Sequence, residues 1–398
     1  MYRGPLRGLR TCEPNDFSTS YVAARLWLKG ENAYDSTKFM PTWVTAGGQA
    51  FADRSSPTNT RPAYPPPALP VLTPFAVLPW TAAKWAFTLF ACLLFPVTIW
   101  SVSRLYEIKW NSSAGLALTA YALALAPWHT ALAVMSPSAI AIEFGIIGAA
   151  LAKDEAGGIA TGLSLCWKPQ IGLLFLLEQV FSKRWKRAGW AILGLVLILV
   201  IALLRLPPQW IHSYRENLQY FQAAGGVNDF TAANPIRFDL LNLQVIVYFL
   251  FQSYGLANVI AWAIGAAFLV VWWRRHADIS ALVLIGLLPF YQRIYNAGLV
   301  VLAIGWGVAH LREWRGKAVL LASAIFLVPG SALLQTLHER RWISDSAWDH
   351  SFLINFFLGP QATWAILVLI AILLTAPVRC SGGNFVTSNL VRSHAPSA

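Results

Sequence analysis

Apolar residues fall in long runs along this chain, at about 82–103, 114–135, 138–152, 157–182, 188–206, 241–273, 279–311, 317–335 and 360–377. A helix of about 20 apolar residues crosses a hydrocarbon core of roughly 30 Å, and most of these runs approach that length. The pattern predicts an all-α polytopic membrane protein. Residues 1–80 form a polar segment rich in Pro and Gly, residues 81–377 a transmembrane bundle, and residues 378–398 a tail expected on the cytoplasmic side. Two runs are interrupted, one by Lys168 and Pro169, the other by the stretch YQRIYN at 291–296. Each is predicted to form a hairpin of two short helices. Irregular backbone at membrane depth persists only where protein buries it or water reaches it, so the two tips predict a polar cavity.

Composition sharpens this reading. Hydrophobic residues make up 57% of the chain and charged residues 12%, against about 25% charged in soluble domains, which excludes a water-soluble enzyme. The net charge of +12 comes from basic residues grouped between apolar runs: Arg104 with Lys109, KRWKR at 183–187, Arg274 with Arg275, and Arg312 with Arg315 and Lys317. Such clusters stay on the cytoplasmic side of membrane proteins, so no nucleic-acid partner is expected. With both interrupted runs folded as hairpins, every cluster falls inside, and 1–80, 207–240 and 336–358 share the outer side. The expected location is the inner membrane of a bacterium, crossed several times. Trp80, Trp85, Trp100, Trp110, Trp128, Trp190 and Trp210 lie near run ends, where interfacial rings gather. Residues 1–80 would have to cross the membrane carrying Arg3, Arg7 and Arg10 with no hydrophobic segment before them, which leads us to expect one more membrane helix upstream. Cys12, Cys92, Cys166 and Cys380 have no paired spacing, and His129, His212, His338 and His350 no metal-ligand spacing. Neither a metal nor a cofactor is expected, and no oligomeric state is specified.

Asp16 and Asp35 are the obvious carboxylates of the first segment. Helical apolar spacing through Phe17, Tyr21, Ala24 and Leu28 predicts a helix with Asp16 as its N-cap, and capping alone would account for that residue. Lys168 and Arg293 are ionisable residues inside hydrophobic runs, where their cost makes function the default reading; an ion pair or carbonyl cap at a turn is the other. Glu143 and Glu178 also sit in apolar runs.

The order of these features resembles a known family. An Asp-Phe pair, Tyr21, Ala23, Ala24, Leu28, Gly30, Tyr34 and Asp35 are followed by Tyr64, Pro65 and Pro66, then Pro74, Leu78 and Pro79. Further on comes GLSLCWKPQIGLLFLLEQVFSKRWKRA at 162–188. From Asp16 to about Trp314 the chain resembles glycosyltransferase family 87, the polyprenyl-phosphate-dependent hexosyltransferases of the GT-C superfamily. Two positions depart from the family pattern: a Gly-Gln pair is absent near Ser136-Pro137-Ser138, and Asn296 stands where an acidic residue is common.

The resemblance implies a GT-C-like bundle of roughly ten membrane helices, including short re-entrant hairpins, with outer loops over a cavity. It implies transfer of a hexose, mannose above all, from a polyprenyl-phosphate sugar to a lipid or glycan acceptor, with Asp16 as catalytic base and, for a β-linked donor, inversion. The phosphate would fall to Lys168 as a compact charge, to Arg293 as a bidentate fork, and to Arg61, for which a surface role is the other reading. Asp35, Tyr64, Gln170, Tyr291, Tyr295 and Asn296 are candidates for substrate contacts, though buried tyrosines often only pack. The competing function is a transporter or lipid-handling permease using the same hairpin tips without needing Asp16. An acyl or phosphoryl transferase has no matching motif here.

Overall fold

The computed structural model describes residues 5–10, 15–49 and 60–376. The polar tail at 378–398, Cys12, Cys380 and Arg3 lie outside them. Among the described residues the chain is helical, with one isolated backbone bridge between Leu240 and Arg293 and no strand. The protein is thus an all-α polytopic membrane protein. Four helices among the described residues are long and apolar enough to span a bilayer: Trp80–Leu105, Trp185–Leu203, Tyr254–Arg275 and Trp314–Glu339. Ser113–Ala124 and Ala126–Ala133, bent by 45°, are long and apolar enough for a fifth span when taken together. Pro137–Ala150, Pro169–Phe181, Ile294–Ala309 and Gln361–Thr375 are apolar but shorter.

Several predicted runs are broken, for identifiable reasons. The break between Ser113–Ala124 and Ala126–Ala133 falls at Leu125, two residues before Pro127, which occupies the first turn of the second helix; that is where a missing N–H costs least. The 241–273 run, continuous by hydropathy, splits into Gln244–Phe251 and Tyr254–Arg275 because Gln252 takes a left-handed conformation, φ 49°, and Ser253 caps the next helix. The span helices are apolar all round, as lipid contact requires. Val196, Leu197, Val200 and Ile201 on one, and Val259, Trp262 and Val270 on another, are exposed. Of the tryptophans expected at interfaces, Trp85, Trp100, Trp110 and Trp190 are exposed, whereas Trp80 and Trp128 are buried in the core.

Small residues let the central helices close on one another. A methyl group added at Gly148 would meet Thr161, one at Gly158 the Arg187 backbone, and one at Gly162 the backbone of Ala191. This is the close approach that membrane helices use in place of hydrophobic burial.

Helix ends beside the basic clusters are tied together by hydrogen bonds: Tyr106 Oη donates to Asp278 (2.7 Å), and Arg275 donates to the Leu374 carbonyl (3.1 Å). Arg187 does more than mark topology. Its side chain is only 4% exposed, pairs with Asp154 (3.3 Å) and donates to the carbonyls of Gly148 (3.2 Å) and Leu151 (2.7 Å). It therefore closes the C-terminal end of Pro137–Ala150, where carbonyls lack intrahelical partners. Arg187→Met is expected to destabilise the protein by about 1.5–3 kcal/mol, the range for hydrogen bonds that involve a charged group, read as an earlier thermal transition in detergent. Lys186, paired with Glu155 at the surface, is the control whose loss leaves that transition in place.

Candidate functional site

The two polar interruptions predicted to be hairpin tips meet. Pro169 pushes its predecessor out of the helical region. Lys168 accordingly sits at φ −153°, ψ 98°, between Asp154–Trp167 and Pro169–Phe181. Its side chain, 8% exposed, donates to Ser138 Oγ (2.8 Å) and to Asn296 Oδ1 (3.3 Å) and lies over the Tyr295 ring at 5.5 Å. Asn296 belongs to the second tip and in turn donates to Gln292 Oε1 (2.6 Å). A Lys buried at a break in apolar structure is thus held by polar groups from two other segments, so three segments meet here.

The carboxylate comes from a fourth segment. Asp16–Leu28 is capped by Asn15, whose side chain accepts from the Ser18 N–H while Ser18 Oγ accepts from the Asn15 N–H. The cap is therefore one residue earlier than predicted. Asn and Asp cap comparably, and with Asn15 in that role Asp16 moves into the first turn, where a negative charge still complements the helix dipole but the carboxylate is released from capping. Tyr295 Oη donates to Asp16 Oδ2 at 3.0 Å. Phe17, beside it, and Tyr21, one turn further, are fully buried and pack on Trp80, with Phe17 also on Phe87, so the helix that carries Asp16 is anchored in the core while Asp16 itself stays partly accessible.

Tyr64 lies beside Ser136 and Ser138 and within electrostatic reach of Asp16. Burial pushes its phenol far above the usual range, and the Asp16 charge adds to this, so Tyr64 acts as a neutral hydroxyl at any working pH. Arg293 donates to Tyr291 Oη (2.9 Å). Arg293 and Asp16 both lie within electrostatic reach of Lys168. Lys168 and Asp16 thus meet at Tyr295, with Arg293 on neighbouring Tyr291, an arrangement able to bind an anionic group beside a proton acceptor.

The structure gathers Asp16, Lys168, Arg293, Tyr64, Tyr291, Tyr295 and Asn296. It does not gather three other candidates. Asp35 accepts from the Thr37 N–H (3.0 Å) and hydroxyl (2.6 Å), capping a short 3-10 turn. Arg61 stacks on Tyr220 (4.3 Å) and donates to Asn217 (3.4 Å), so it braces the loop behind Tyr64. Gln170 is exposed on the second residue of its helix. Glu178 accepts from Ser182 (2.9 Å), and Glu143 is buried on the Pro137–Ala150 helix. Ser136, Ser138 and Gln292 were not candidates. Short polar residues next to a helix start look like ordinary caps, and only the proximity of Lys168 distinguishes them.

Fold and site together define a polytopic membrane protein in which a buried lysine meets a carboxylate at two breaks in apolar structure. The chain belongs to glycosyltransferase family 87, whose profile matches residues 63–291, more than half of its length. It is therefore a membrane glycosyltransferase. No curated protein and no solved structure matches the chain. The matched segment includes Tyr64, Lys168 and Tyr291 and starts after Asp16, which geometry alone ties to it.

Proposed function

We propose that this glycosyltransferase moves a hexose, with mannose as first expectation, from a polyprenyl-phosphate donor to a lipid or glycan acceptor at the outer face of a bacterial inner membrane. The observation that carries the reading is the sharing of Tyr295 by Asp16, through a 3.0 Å hydrogen bond, and Lys168, over its ring. A proton acceptor and a phosphate-binding cation thus stand on two sides of one side chain. Asp16 takes the acceptor hydroxyl proton as that oxygen bonds to the sugar C1. The bond from C1 to the phosphate oxygen breaks, and its electron pair departs with polyprenyl phosphate. Lys168 and Arg293 stabilise the charge of that leaving group, the kind of electrostatic assistance that dominates many transfers. A phosphate leaving group requires no general acid, so one carboxylate suffices. A single displacement of a β-linked donor gives an α-glycoside.

Tyr295 holds the base in one orientation. Tyr295→Phe keeps the ring beneath Lys168 and removes the hydroxyl from Asp16. Transfer is expected to slow about tenfold, the loss of one hydrogen bond to a charged group, in kcat and not in donor affinity, as steady-state kinetics would register.

The donor class is tested by offering membranes that contain the protein either labelled polyprenyl-phosphate hexoses or labelled nucleotide hexoses, with lipid-linked donor synthesis blocked. Incorporation of label from the polyprenyl donors alone is expected. Incorporation from the nucleotide sugars alone would overturn the proposal.

A further inference from the structure

A second polar feature lies beside the site and takes no part in the chemistry above. The turn at Arg237–Asp239 is held against the second hairpin tip: Leu240 bridges Arg293, and the Leu241 N–H donates to the Gln292 carbonyl (2.9 Å). Between this turn, helix Ala126–Ala133 and the starts of Gly330–Glu339 and Gln361–Thr375 is a cavity of about 50 Å³. That volume holds a few waters, at roughly 10–15 Å³ of probe space each, or one edge of a ring with its hydroxyls. Ile294 forms part of the wall, directly between Arg293 and Tyr295 in the chain, so the cavity adjoins the reacting centre.

The lining is chemically selective. Asp239 is its one ionisable side chain among the described residues; Thr130, Ser331, Gln335 and Gln361 add neutral polar groups, and Phe238 and Phe326 supply apolar surface. Ser331 Oγ donates to Asp239 Oδ1 at 2.7 Å. Two glycines let the walls close: a methyl group on Gly359 would collide with the Phe238 ring, and one on Gly330 with the Gln361 amide. A carboxylate without a cation on the wall repels phosphate, and the polar groups are wasted on a prenyl chain. Carboxylate, hydroxyl and carboxamide side by side match neighbouring hydroxyls that both donate and accept, and an aromatic face suits the C–H side of a ring. Few convergent polar groups on an apolar wall is the usual make-up of a small-molecule site.

We propose that this cavity is a sugar subsite, in which Asp239, Ser331 and Gln361 hold the hydroxyl edge of a hexose while Arg293, on the other side of Ile294, holds phosphate. The inference rests on the transfer reaction proposed above, and the hexose is that of the donor or that of the acceptor.

Binding to the purified full-length protein, wild type and carrying Ser331→Ala or Gln361→Leu, decides the matter with three probes: polyprenyl-phosphate mannose, bare polyprenyl phosphate and octyl α-mannoside. Neither substitution touches Asp16, Lys168 or Arg293. The expected result is at least fivefold weaker binding of one mannosylated probe with bare polyprenyl phosphate within twofold of wild type. Loss confined to polyprenyl-phosphate mannose assigns the cavity to the donor, and loss confined to octyl α-mannoside assigns it to the acceptor. Unchanged binding of both mannosylated probes overturns the inference, as does equal weakening of bare polyprenyl phosphate or a wild type that binds neither sugar. Should Gln361→Leu not fold, Ser331→Ala carries the test. A wild type that binds neither polyprenyl probe defeats the donor reading instead, and octyl α-mannoside still reports on the cavity.

Discussion

Asp16→Asn is expected to lower transfer by roughly 10²–10⁴-fold, the range over which a positioned general base contributes, with donor affinity close to that of wild type. The substitution isolates chemistry from structure unusually well. Asn15 caps the helix, so residue 16 is not needed for that role; Asn keeps the size and can still accept from Tyr295; and the core contacts of Phe17 and Tyr21 are untouched. What disappears is the capacity to take a proton. The two variants of the pair also separate by size: Tyr295→Phe misorients a base that is still present, Asp16→Asn removes it. Comparable losses in both would mean that Asp16 serves to hold Tyr295 and not to accept a proton.

Lys168→Met should have the second largest effect, a loss of about 10²–10³-fold in turnover, typical of removing one group that stabilises developing negative charge, together with weaker binding of polyprenyl phosphate. Met fills nearly the same buried space, so the helices on either side of Pro169 should keep their places. Ser138 and Asn296 each lose one donor, but Asn296 keeps Gln292 as a partner. Size-exclusion behaviour and helical content should match wild type. Lys168→Arg is not a rescue, because a planar fork does not fit where a compact ammonium is held between Ser138 and Asn296. Full turnover in Lys168→Met, with the protein folded, would demote the residue to a cap of the hairpin turn.

The two tips were legible in the sequence because a charge or a polar stretch inside an apolar run is costly, and that cost is visible without a structure. Their meeting, through Lys168 and Asn296, follows from the need of each to bury irregular backbone and polar groups. Asp16 was legible as a residue, but its release from capping depended on Asn15, and neighbouring Asn and Asp compete for that position on nearly equal terms. Loop residues were much harder. Nothing in the spacing of Asp35 or Arg61 says where their backbone leads: Asp35 caps its own turn, and Arg61 braces the distant Trp210–Gln222 helix. Asp239 gave no signal because it lies in a polar segment, where a carboxylate is unremarkable until folding sets it beside Ser331 on a cavity wall. Arg187 shows the opposite limit: read as one of five residues in a basic cluster, it is in fact buried, and hydropathy does not distinguish a charge that faces water from one that ties helix ends together.

The central claim is that one polar centre breaks the bond between a hexose and polyprenyl phosphate with Asp16 as base. The most direct test reconstitutes wild type and Asp16→Asn in liposomes with polyprenyl-phosphate mannose labelled in the sugar and, separately, in the lipid. The account predicts equal amounts of labelled glycoside and free polyprenyl phosphate from wild type and neither from Asp16→Asn, which still binds the donor. Equal cleavage by both proteins, or movement of the intact donor across the bilayer with no cleavage at all, would contradict it.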